Sequence, residues 1–193
     1  MGKVVVYKSI SLDGYVAGAG AGVARPLGEG GEALHQWLLS GTDPRDAEVA
    51  AAMFSTDTVG AVAMGHTTFV CGEAPWGDDG TFRVPCFVVT HTPREPLVKG
   101  PTTFTFVTGG VKAALEEAQA AAGAKDVNVM GGATSRQALA AGLVDEVQLS
   151  VVPVLLGAGV RLFDGLGPGD LGFERTWLES TAGATHVRYR VTL

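Results

Sequence analysis

The sequence predicts an α/β fold in which helices flank a mixed, mostly parallel central sheet and an antiparallel hairpin closes the C-terminus. Short β-branched apolar stretches alternate with amphipathic or alanine-rich stretches, which is typical of parallel strands joined by helices. Two further apolar stretches end the chain with no helix between them. Neither a repeat nor a linker interrupts the 193 residues, so we predict a single domain over 1–193.

The chain begins with a predicted strand, because KVVVYKSIS (3–11) is apolar and β-branched. A glycine-rich loop over 13–31 follows it. The next segment, GEALHQWLLSG (31–41), has helical spacing of its bulky apolar residues. The apolar face of this helix carries Leu34, Trp37 and Leu38.

A second helix is predicted over 43–54, where Asp43 is a suitable N-cap and Pro44 suits the first turn. The next segment, TVGAVAMG (58–65), reads as a strand that ends in glycine. A short helical turn is expected to begin at His66.

The middle of the chain repeats this alternation of strands and helices. Strands are predicted at 84–90, 102–108 and 126–132, and helices at 111–123 and 134–142. The helix over 111–123 is alanine-rich and is closed by a glycine, which favours a helix C-terminus.

The last strands are predicted at 144–157 and in a closing hairpin of 173–180 with 185–193. Because proline cannot donate to a sheet ladder, Pro153 predicts an edge position or a bulge in the first of these strands. The final strand alternates polar residues with inward-facing Val187, Tyr189 and Val191.

Composition excludes several function classes. With 14 Lys plus Arg against 20 Asp plus Glu, the net charge of −6 argues against a nucleic-acid groove or an anionic membrane surface as partner. The two cysteines have no metal or redox spacing, and the N-terminus lacks the apolar stretch of a signal peptide. We therefore expect a soluble cytoplasmic protein without a metal.

Several catalytic motifs fail. GEGGEA (28–33) satisfies G-x-G-x-x-A but does not follow a strand, so the dinucleotide-binding context is missing. The sequence has no P-loop and no G-x-S-x-G motif. A zinc deaminase would need H-x-E with P-C-x-x-C, and Pro85-Cys86 has no second cysteine after it.

Four segments share one pattern, in which an apolar strand ends in small or hydroxylated residues. They are SISLDGYVAG (9–18), AVAMGHTTF (61–69), FVVTHTPR (87–94) and VNVMGGATSRQ (127–137). The carboxyl ends of parallel strands lie on one edge of a sheet, where ligands bind. Two adjacent glycines before a helix suit either a tight turn or the close approach of an anion.

These segments, with VMGGATSRQALAAGLVDE and VVPVLLGAGVRLF, resemble the dihydrofolate-reductase-like superfamily. The chain is most similar to the stand-alone relatives of the reductase domain of bifunctional riboflavin-biosynthesis deaminase-reductases. The resemblance covers nearly the whole chain. It implies an NADPH-dependent reductase that transfers a hydride to a pterin-like or aminopyrimidine-like heterocycle, as in 5-amino-6-(5-phosphoribosylamino)uracil reductase activity.

The resemblance also assigns cofactor-binding positions to the ends of the four strands. They are Ser11, Leu12 and Gly14 beside the nicotinamide; Gly65, His66, Thr67 and Thr68 at phosphates; Thr90, His91 and Thr92 at the adenosine; and Gly131, Gly132, Ala133 and Thr134 at the diphosphate. The family usually has Arg where this chain has His66, so NADPH should be preferred over NADH only modestly. Arg94 is a candidate to compensate.

The substrate end is less defined by the sequence. Asp13 is the candidate catalytic residue, with an Asx-type turn as its alternative role. Trp37 and Arg161 are candidate substrate residues, although a core position for the first and a surface position for the second remain open. Asp46 and Glu48 lie on the helix that carries the pterin-binding acid in dihydrofolate reductases, but neither matches the family position without a gap.

Two alternatives to a heterocycle reductase therefore stay open: an authentic dihydrofolate reductase and a non-catalytic NADPH-binding sensor. The resemblance further implies a cis peptide bond between Gly131 and Gly132. A homodimer is also expected, since the strand EVQLSVVPVLLG (146–157) is apolar on both faces. Cover of that strand by a helix is the other explanation.

Overall fold

The architecture is a long twisted sheet with helices on both faces, seen in a computed structural model that describes residues 1–41, 43–167, 169 and 171–192. The strands are β1 Val4–Ser11, β2 Tyr15–Gly18, β3 Val59–Gly65, β4 Cys86–Val89, β5 Leu97–Lys99, β6 Thr102–Val107, β7 Asp126–Met130, β8 Glu146–Val152, β9 Gly159–Arg161, β10 Gly172–Ser180 and β11 Thr185–Thr192. A 3-10 helix, Gly31–His35, precedes the helices α1 Gln36–Ser40, α2 Pro44–Phe54, α3 His66–Gly72, α4 Gly110–Ala122 and α5 Gly132–Ala140.

Within the described residues, nine strands form one sheet in the order β10-β11-β8-β1-β7-β3-β4-β6-β5. The pairings from β8 across to β6 are parallel. The hairpin of β10 with β11 and the short strand β5 add antiparallel pairs at the two ends. The predicted mixed, mostly parallel sheet with a C-terminal hairpin is therefore confirmed.

The two faces of the sheet bury two different apolar clusters, and the alternation of side chains along each strand explains why. In β3, Ala61 and Ala63 face a cluster that includes Leu115 of α4. The intervening Val62 and Met64 face the other side. That second cluster is aromatic, with Phe69 of α3 in edge-to-face contact with Phe104 and Phe106.

The helix α2 begins as its sequence predicts. The Asp43 side chain accepts a hydrogen bond from the Arg45 backbone N–H at 3.0 Å, and Pro44 occupies the first turn. Its buried face carries Val49 and Met53. The N-cap prediction is therefore confirmed.

The structure corrects the prediction for 144–157. The strand β8 ends at Val152, before Pro153, and lies between β11 and β1 in the interior of the sheet. The expected edge or bulge is wrong because the proline follows the strand. Neighbouring strands and packed apolar residues also account for the apolar character of both faces of β8.

Three strands were not expected from the sequence. Both β2 and β9 pair in a separate small sheet, and β2 lies in the segment predicted as a glycine-rich loop. The third, β5, is three residues long and half exposed. Leu193, the last residue of the predicted final strand, lies outside the described residues. No helix in the described part of the chain is long and apolar enough to cross a membrane.

A buried polar network joins α2 to the C-terminal hairpin. The His186 ring is bonded through Nδ1 to the Ser150 hydroxyl and through Nε2 to Asp46 Oδ1, each at 2.8 Å. The Thr181 hydroxyl donates to the same Asp46 oxygen at 2.7 Å. Trp37 packs edge-to-face on the His186 ring, with centroids 4.7 Å apart. These hydrogen bonds to the Asp46 carboxylate therefore hold α2 on the sheet.

We expect Asp46→Ala to lower the free energy of unfolding by about 1–3 kcal/mol, because it leaves buried partners on His186 and Thr181 unpaired. Denaturant unfolding measures this loss. Glu48→Ala, an exposed change on the same helix, is the matched control and should have an effect near zero. Equal losses in the two variants would contradict the assigned network.

Candidate functional site

A cavity of about 1280 Å³ opens where the carboxyl ends of the parallel strands meet. It is larger than the roughly 300–1,000 Å³ of a common small-molecule pocket. All four predicted strand-end segments contribute to its lining. The segment 9–18 contributes Ser9, Val16 and Ala17. The others contribute Gly65, His66, Thr67 and Thr68 after β3; Thr90, His91 and Thr92 after β4; and Gly131, Gly132, Ala133 and Thr134 after β7. A cavity of this volume has room for a cofactor and a substrate together.

Glycine is required at the β7–α5 turn by close packing against two other segments. Gly131 has φ 86° and ψ 137°, and a Cβ there would collide with the Thr68 hydroxyl. A Cβ on Gly132 would lie 2.7 Å from Val160 in the small sheet. A Cβ on Gly65 would lie 2.6 Å from the Thr134 hydroxyl. The starts of α3 and α5 are therefore pressed together.

The expected cis bond between Gly131 and Gly132 is wrong. No peptide bond among the described residues is cis. Gly131 instead combines a trans bond with a positive φ, which glycine adopts at little steric cost.

This turn leaves backbone donors free at the cavity wall. The first hydrogen bond across it runs from Ser135 N to Gly131 O at 3.0 Å, and no side chain caps α5. The preceding N–H groups of Gly132, Ala133 and Thr134 lie at the positive end of the helix dipole. This cradle fits the diphosphate of a dinucleotide, which needs donors and close backbone approach rather than a large positive charge.

Lys8 is the main feature of the cavity that sequence reasoning missed. It lies in β1 and lines the cavity, and its Nζ donates to the carbonyls of Tyr7 and Val129, each at 2.8 Å. Burial lowers the pKa of Lys8 to about 7. The signal in the sequence was a lone charge in the otherwise uncharged strand VVVYKSIS. A side chain of this kind can release or take up a proton near neutral pH.

Two further side chains accompany Lys8 at this end of the cavity. Trp37 lines the cavity but is also a core residue, because it is 3% exposed and its indole N–H donates to the Ser9 hydroxyl at 3.0 Å. His35 lines the cavity at the end of the 3-10 helix. Burial, and then the charge of Lys8, lower the pKa of His35.

Asp13 anchors a loop and does not line the cavity. The hydroxyl of Ser11 donates to its carboxylate at 2.6 Å, and the backbone N–H groups of Leu156 and Gly157 also donate to it. The Ser11 hydrogen bond, followed by those from Gly157 and Leu156, lowers the pKa of Asp13 to about 2. This geometry does not support Asp13 as a proton donor.

The rest of this loop lies beside the cavity lining rather than within it. Leu12 is 62% exposed, and its N–H donates to the Val154 carbonyl at 3.0 Å. Gly14 has φ 87°, which the turn from β1 to β2 requires. Val16 and Ala17 of β2 line the cavity instead. The loop predicted to lie beside the nicotinamide is therefore close to the cavity. The residues that line the cavity here belong to the following strand, β2.

Two predicted arginines pack on aromatic rings outside the cavity lining. The Arg161 guanidinium lies 4.6 Å from the centre of the Tyr15 ring. The Arg94 guanidinium lies 4.8 Å from the Phe106 ring centre and 5.5 Å from that of Phe69. Such contacts hold the cation at the surface. The contact with Phe69 places Arg94 beside α3, the helix that begins at His66, and its compensating role stays a prediction.

Carboxylates are scarce in the cavity. Among the described residues that line it, Glu32 is the one acidic side chain, and it is exposed. Asp46 is held in the network with His186, and Glu48 is exposed, so α2 offers no acid to the cavity. No cluster of three or more potential metal ligands occurs in the described ranges.

The fold and the cavity define a class of α/β protein whose ligand site lies at the carboxyl ends of a mostly parallel sheet. Within this class, the chain belongs to the RibD C-terminal domain family, whose sequence profile matches residues 2–183. The resemblance to riboflavin-biosynthesis reductase domains predicted from the motifs is therefore confirmed.

Solved structures share this fold. A protein assigned to riboflavin biosynthesis in Shewanella sp. PV-4 is 25% identical with a TM-score of 0.74, over 99% of both chains. A pyrimidine reductase-like protein from Corynebacterium diphtheriae NCTC is 15% identical with a TM-score of 0.62, over 100% of this chain and 92% of that one.

A third relative is the diaminohydroxyphosphoribosylaminopyrimidine deaminase/5-amino-6-(5-phosphoribosylamino)uracil reductase of Thermotoga maritima. It is 16% identical with a TM-score of 0.64, and the match covers 98% of this chain but 56% of that longer one. No curated protein sequence matches this chain significantly.

We expect Gly132→Val to abolish dinucleotide binding and to destabilise the fold, because its side chain would collide with Val160 and obstruct the cradle. Ala133→Ser, at the next and exposed position, is the control and should be tolerated. Fluorescence titration with NADPH and denaturant unfolding measure the two effects. Normal NADPH binding by Gly132→Val would defeat this account of the turn.

Lys8→Met should raise the free energy of unfolding at and below neutral pH, and this gain should shrink as the pH rises. Lys8 titrates near 7 in the fold and near 10.4 in an unfolded chain. Between those values the unfolded chain binds more protons, so the wild type gains stability with increasing pH. Lys112→Met, an exposed lysine, should leave the curve parallel to that of the wild type. A difference between Lys8→Met and wild type that does not vary with pH would contradict the burial of this charge.

Proposed function

We propose that the protein is an NADPH-dependent reductase that transfers a hydride to a small pterin-like or aminopyrimidine-like heterocycle. One observation carries the proposal: a single cavity combines an uncapped glycine turn suited to a diphosphate with a half-buried lysine that has a lowered pKa. Membership in the RibD C-terminal domain family supports an oxidoreductase. The reductase names carried by two of the structural relatives agree with this.

In this proposal the strand ends after β3, β4 and β7 hold the cofactor. Backbone N–H groups of the β7–α5 turn bind the diphosphate, while the Thr67 and Thr90 segments border the adenosine half. When bound there, NADPH would supply the hydride. His66 is the first residue of α3 and lines the cavity, so it is the candidate contact to a 2′-phosphate.

Lys8 is the proposed source of the proton that accompanies hydride transfer. Two of the three ammonium N–H groups donate to main-chain carbonyls, which fixes the direction of the remaining one. A donor with a pKa near the working pH is efficient in proton transfer. Lys8 therefore replaces Asp13 in the catalytic role.

An authentic dihydrofolate reductase fits this cavity less well. In such an enzyme an acid on the helix before β3 binds the pterin, whereas here Asp46 is bonded to His186 and Thr181 and lies outside the cavity. The non-catalytic sensor differs from the reductase only in lacking turnover. Cofactor binding without NADPH consumption is its expected signature.

Purified protein should bind NADPH saturably. It should also oxidise NADPH in the presence of a substrate from a panel of oxo-pyrimidines and pterins, and the absorbance of reduced nicotinamide measures this oxidation.

Lys8→Met should lose at least about tenfold in kcat, equivalent to about 1.4 kcal/mol, while retaining NADPH affinity. His66→Arg should increase the preference for NADPH over NADH. Absence of saturable NADPH binding would refute the cofactor, and binding without turnover across the panel would favour the sensor.

We also propose a homodimer in the cytoplasm, with a different basis for the dimer than the sequence suggested. The outer strand β10 leaves one backbone edge unpaired in the described sheet. The neighbouring Phe163 and Phe173, 37% and 44% exposed, form an aromatic contact beside it. Exposed edges with large apolar side chains favour association.

Light scattering at micromolar concentration should give a dimer mass, and Phe173→Glu should shift it toward the monomer because a charge would be buried at the contact. Val98→Glu, at an exposed apolar position in β5 at the opposite end of the sheet, is the control and should not. A monomer mass for the wild type would count against the dimer.

A further inference from the structure

A cleft separates two apolar clusters on one face of the sheet. On that face, Val62 of β3 packs into the aromatic cluster with Phe69, whereas Met53 of α2 belongs to another cluster with Trp37. The side chains of Val62, Met53 and Trp37 all line the cavity, so the cavity runs between the two clusters. Asn128 of β7 pairs with Val62 and lines the cavity there. We call the part of the cavity beside Met53, Val62 and Asn128 the α2 cleft.

The side-chain amide of Asn128 is held in one orientation. Its Nδ2 group donates to the Met53 carbonyl at 2.8 Å. Because a carbonyl oxygen can only accept a hydrogen bond, the amide nitrogen has to face Met53 and the amide oxygen has to face away. This oxygen, Oδ1, is buried and has no hydrogen-bond partner among the described residues. Asn128 is 8% exposed, so the α2 cleft contains a fixed, unpaired acceptor.

The side chains around this acceptor are apolar. Val5 of β1 and Val62 of β3 flank Asn128 in register, and Met130 follows it by two residues on the same face of β7. A buried water needs roughly two to four polar partners, and these neighbours supply none. An unpaired buried acceptor costs stability. A ligand with one N–H or O–H group on an apolar body would satisfy Asn128 and pack against its neighbours.

The α2 cleft lies away from the glycine turn proposed to hold the cofactor. Asn128 precedes Gly131 by three residues along an extended strand, which separates their Cα atoms by about 10 Å. Thr56 and Val59 also line the cavity, which therefore extends to the amino-terminal end of β3. The lining residues within 53–62 carry no charge. A molecule in the cleft should therefore be neutral, and it need not overlap a phosphate at the turn.

We propose that the α2 cleft is a second binding site, which takes a small neutral apolar ring that carries a single hydroxyl or N–H group. The ring packs between Met53 and Val62, and its donor pairs with Asn128 Oδ1. This site goes beyond the reductase function proposed above, because its occupation needs neither NADPH nor turnover.

Phenol and toluene are matched probes, because they have nearly the same shape and only phenol has a donor. The chain has four methionines, whose carbon-13-labelled methyl groups report the position of each probe by NMR. Phenol should shift the Met53 and Met130 signals saturably, since both side chains line the cavity. The signal of Met1, which is 94% exposed, should not move. Saturating NADPH should leave the phenol-induced shift of Met53 unchanged.

Asn128→Leu should weaken phenol binding at least about tenfold, a difference of about 1.4 kcal/mol, and should not weaken toluene binding. Leucine retains the volume of the side chain but has no acceptor. Thr56→Val removes an exposed hydroxyl from the same lining, so it is the control and should retain both affinities. Unfolding curves of each variant show whether the fold is intact.

Anisole tests the donor on the wild-type protein, so the proposal can be judged even if Asn128→Leu does not fold. It carries a methyl ether in place of the hydroxyl and should bind more weakly than phenol. Equal binding of phenol and anisole, no saturable shift of Met53, or displacement of phenol by NADPH would overturn the proposal. Phenol binding by a protein that does not bind NADPH would instead refute the proposed cofactor and leave this site standing.

Discussion

The close approach of two strand-to-helix turns is the constraint on which the cavity depends. Thr68 of α3 lies against Gly131, and Thr134 of α5 lies against Gly65, so each hydroxyl occupies the space where the other turn would carry a Cβ. This reciprocal contact brings two helix starts side by side at one sheet edge. Backbone donors gather there beside the side chain of Arg136, which also lines the cavity. A chain with a net charge of −6 can in this way present local donors suited to the phosphates of the proposed cofactor.

The electrostatics of the two cavity ends differ for a structural reason. At the β7–α5 turn, the donors are backbone N–H groups at the start of α5 and the side chain of Arg136, which also lines the cavity. In β1, the half-buried Lys8 is bonded to main-chain carbonyls. Burial without an acidic partner lowers the pKa of Lys8, whereas an acid beside it would raise that pKa. The absence of acids from the described lining, Glu32 apart, is therefore part of what keeps the pKa of Lys8 low.

The sequence predicted what depends on local pattern and missed what depends on long-range contacts. The parallel sheet, the hairpin, the cap of α2 and the meeting of the four strand ends at one cavity followed from periodicity and turn residues. The role of Asp13 did not, because its carboxylate binds N–H groups of Leu156 and Gly157 more than 140 positions away. The position of Lys8 was not predicted either, because it depends on the sheet order, which places β1 between β7 and β8. The cis peptide bond expected between Gly131 and Gly132 was inferred from the family resemblance and not from the local sequence.

The acid on α2 connects the C-terminal hairpin to the charge of the cavity. The Asp46 carboxylate is bonded to His186 of β11 and to Thr181 of the hairpin turn, and it does not line the cavity. The hairpin thus engages the buried acid of α2 and uses it to hold that helix on the sheet. The exposed Glu32 is then the one carboxylate among the described residues that line the cavity. The network that stabilises the hairpin therefore leaves Lys8 without an acidic partner, and such a partner would raise the pKa of Lys8.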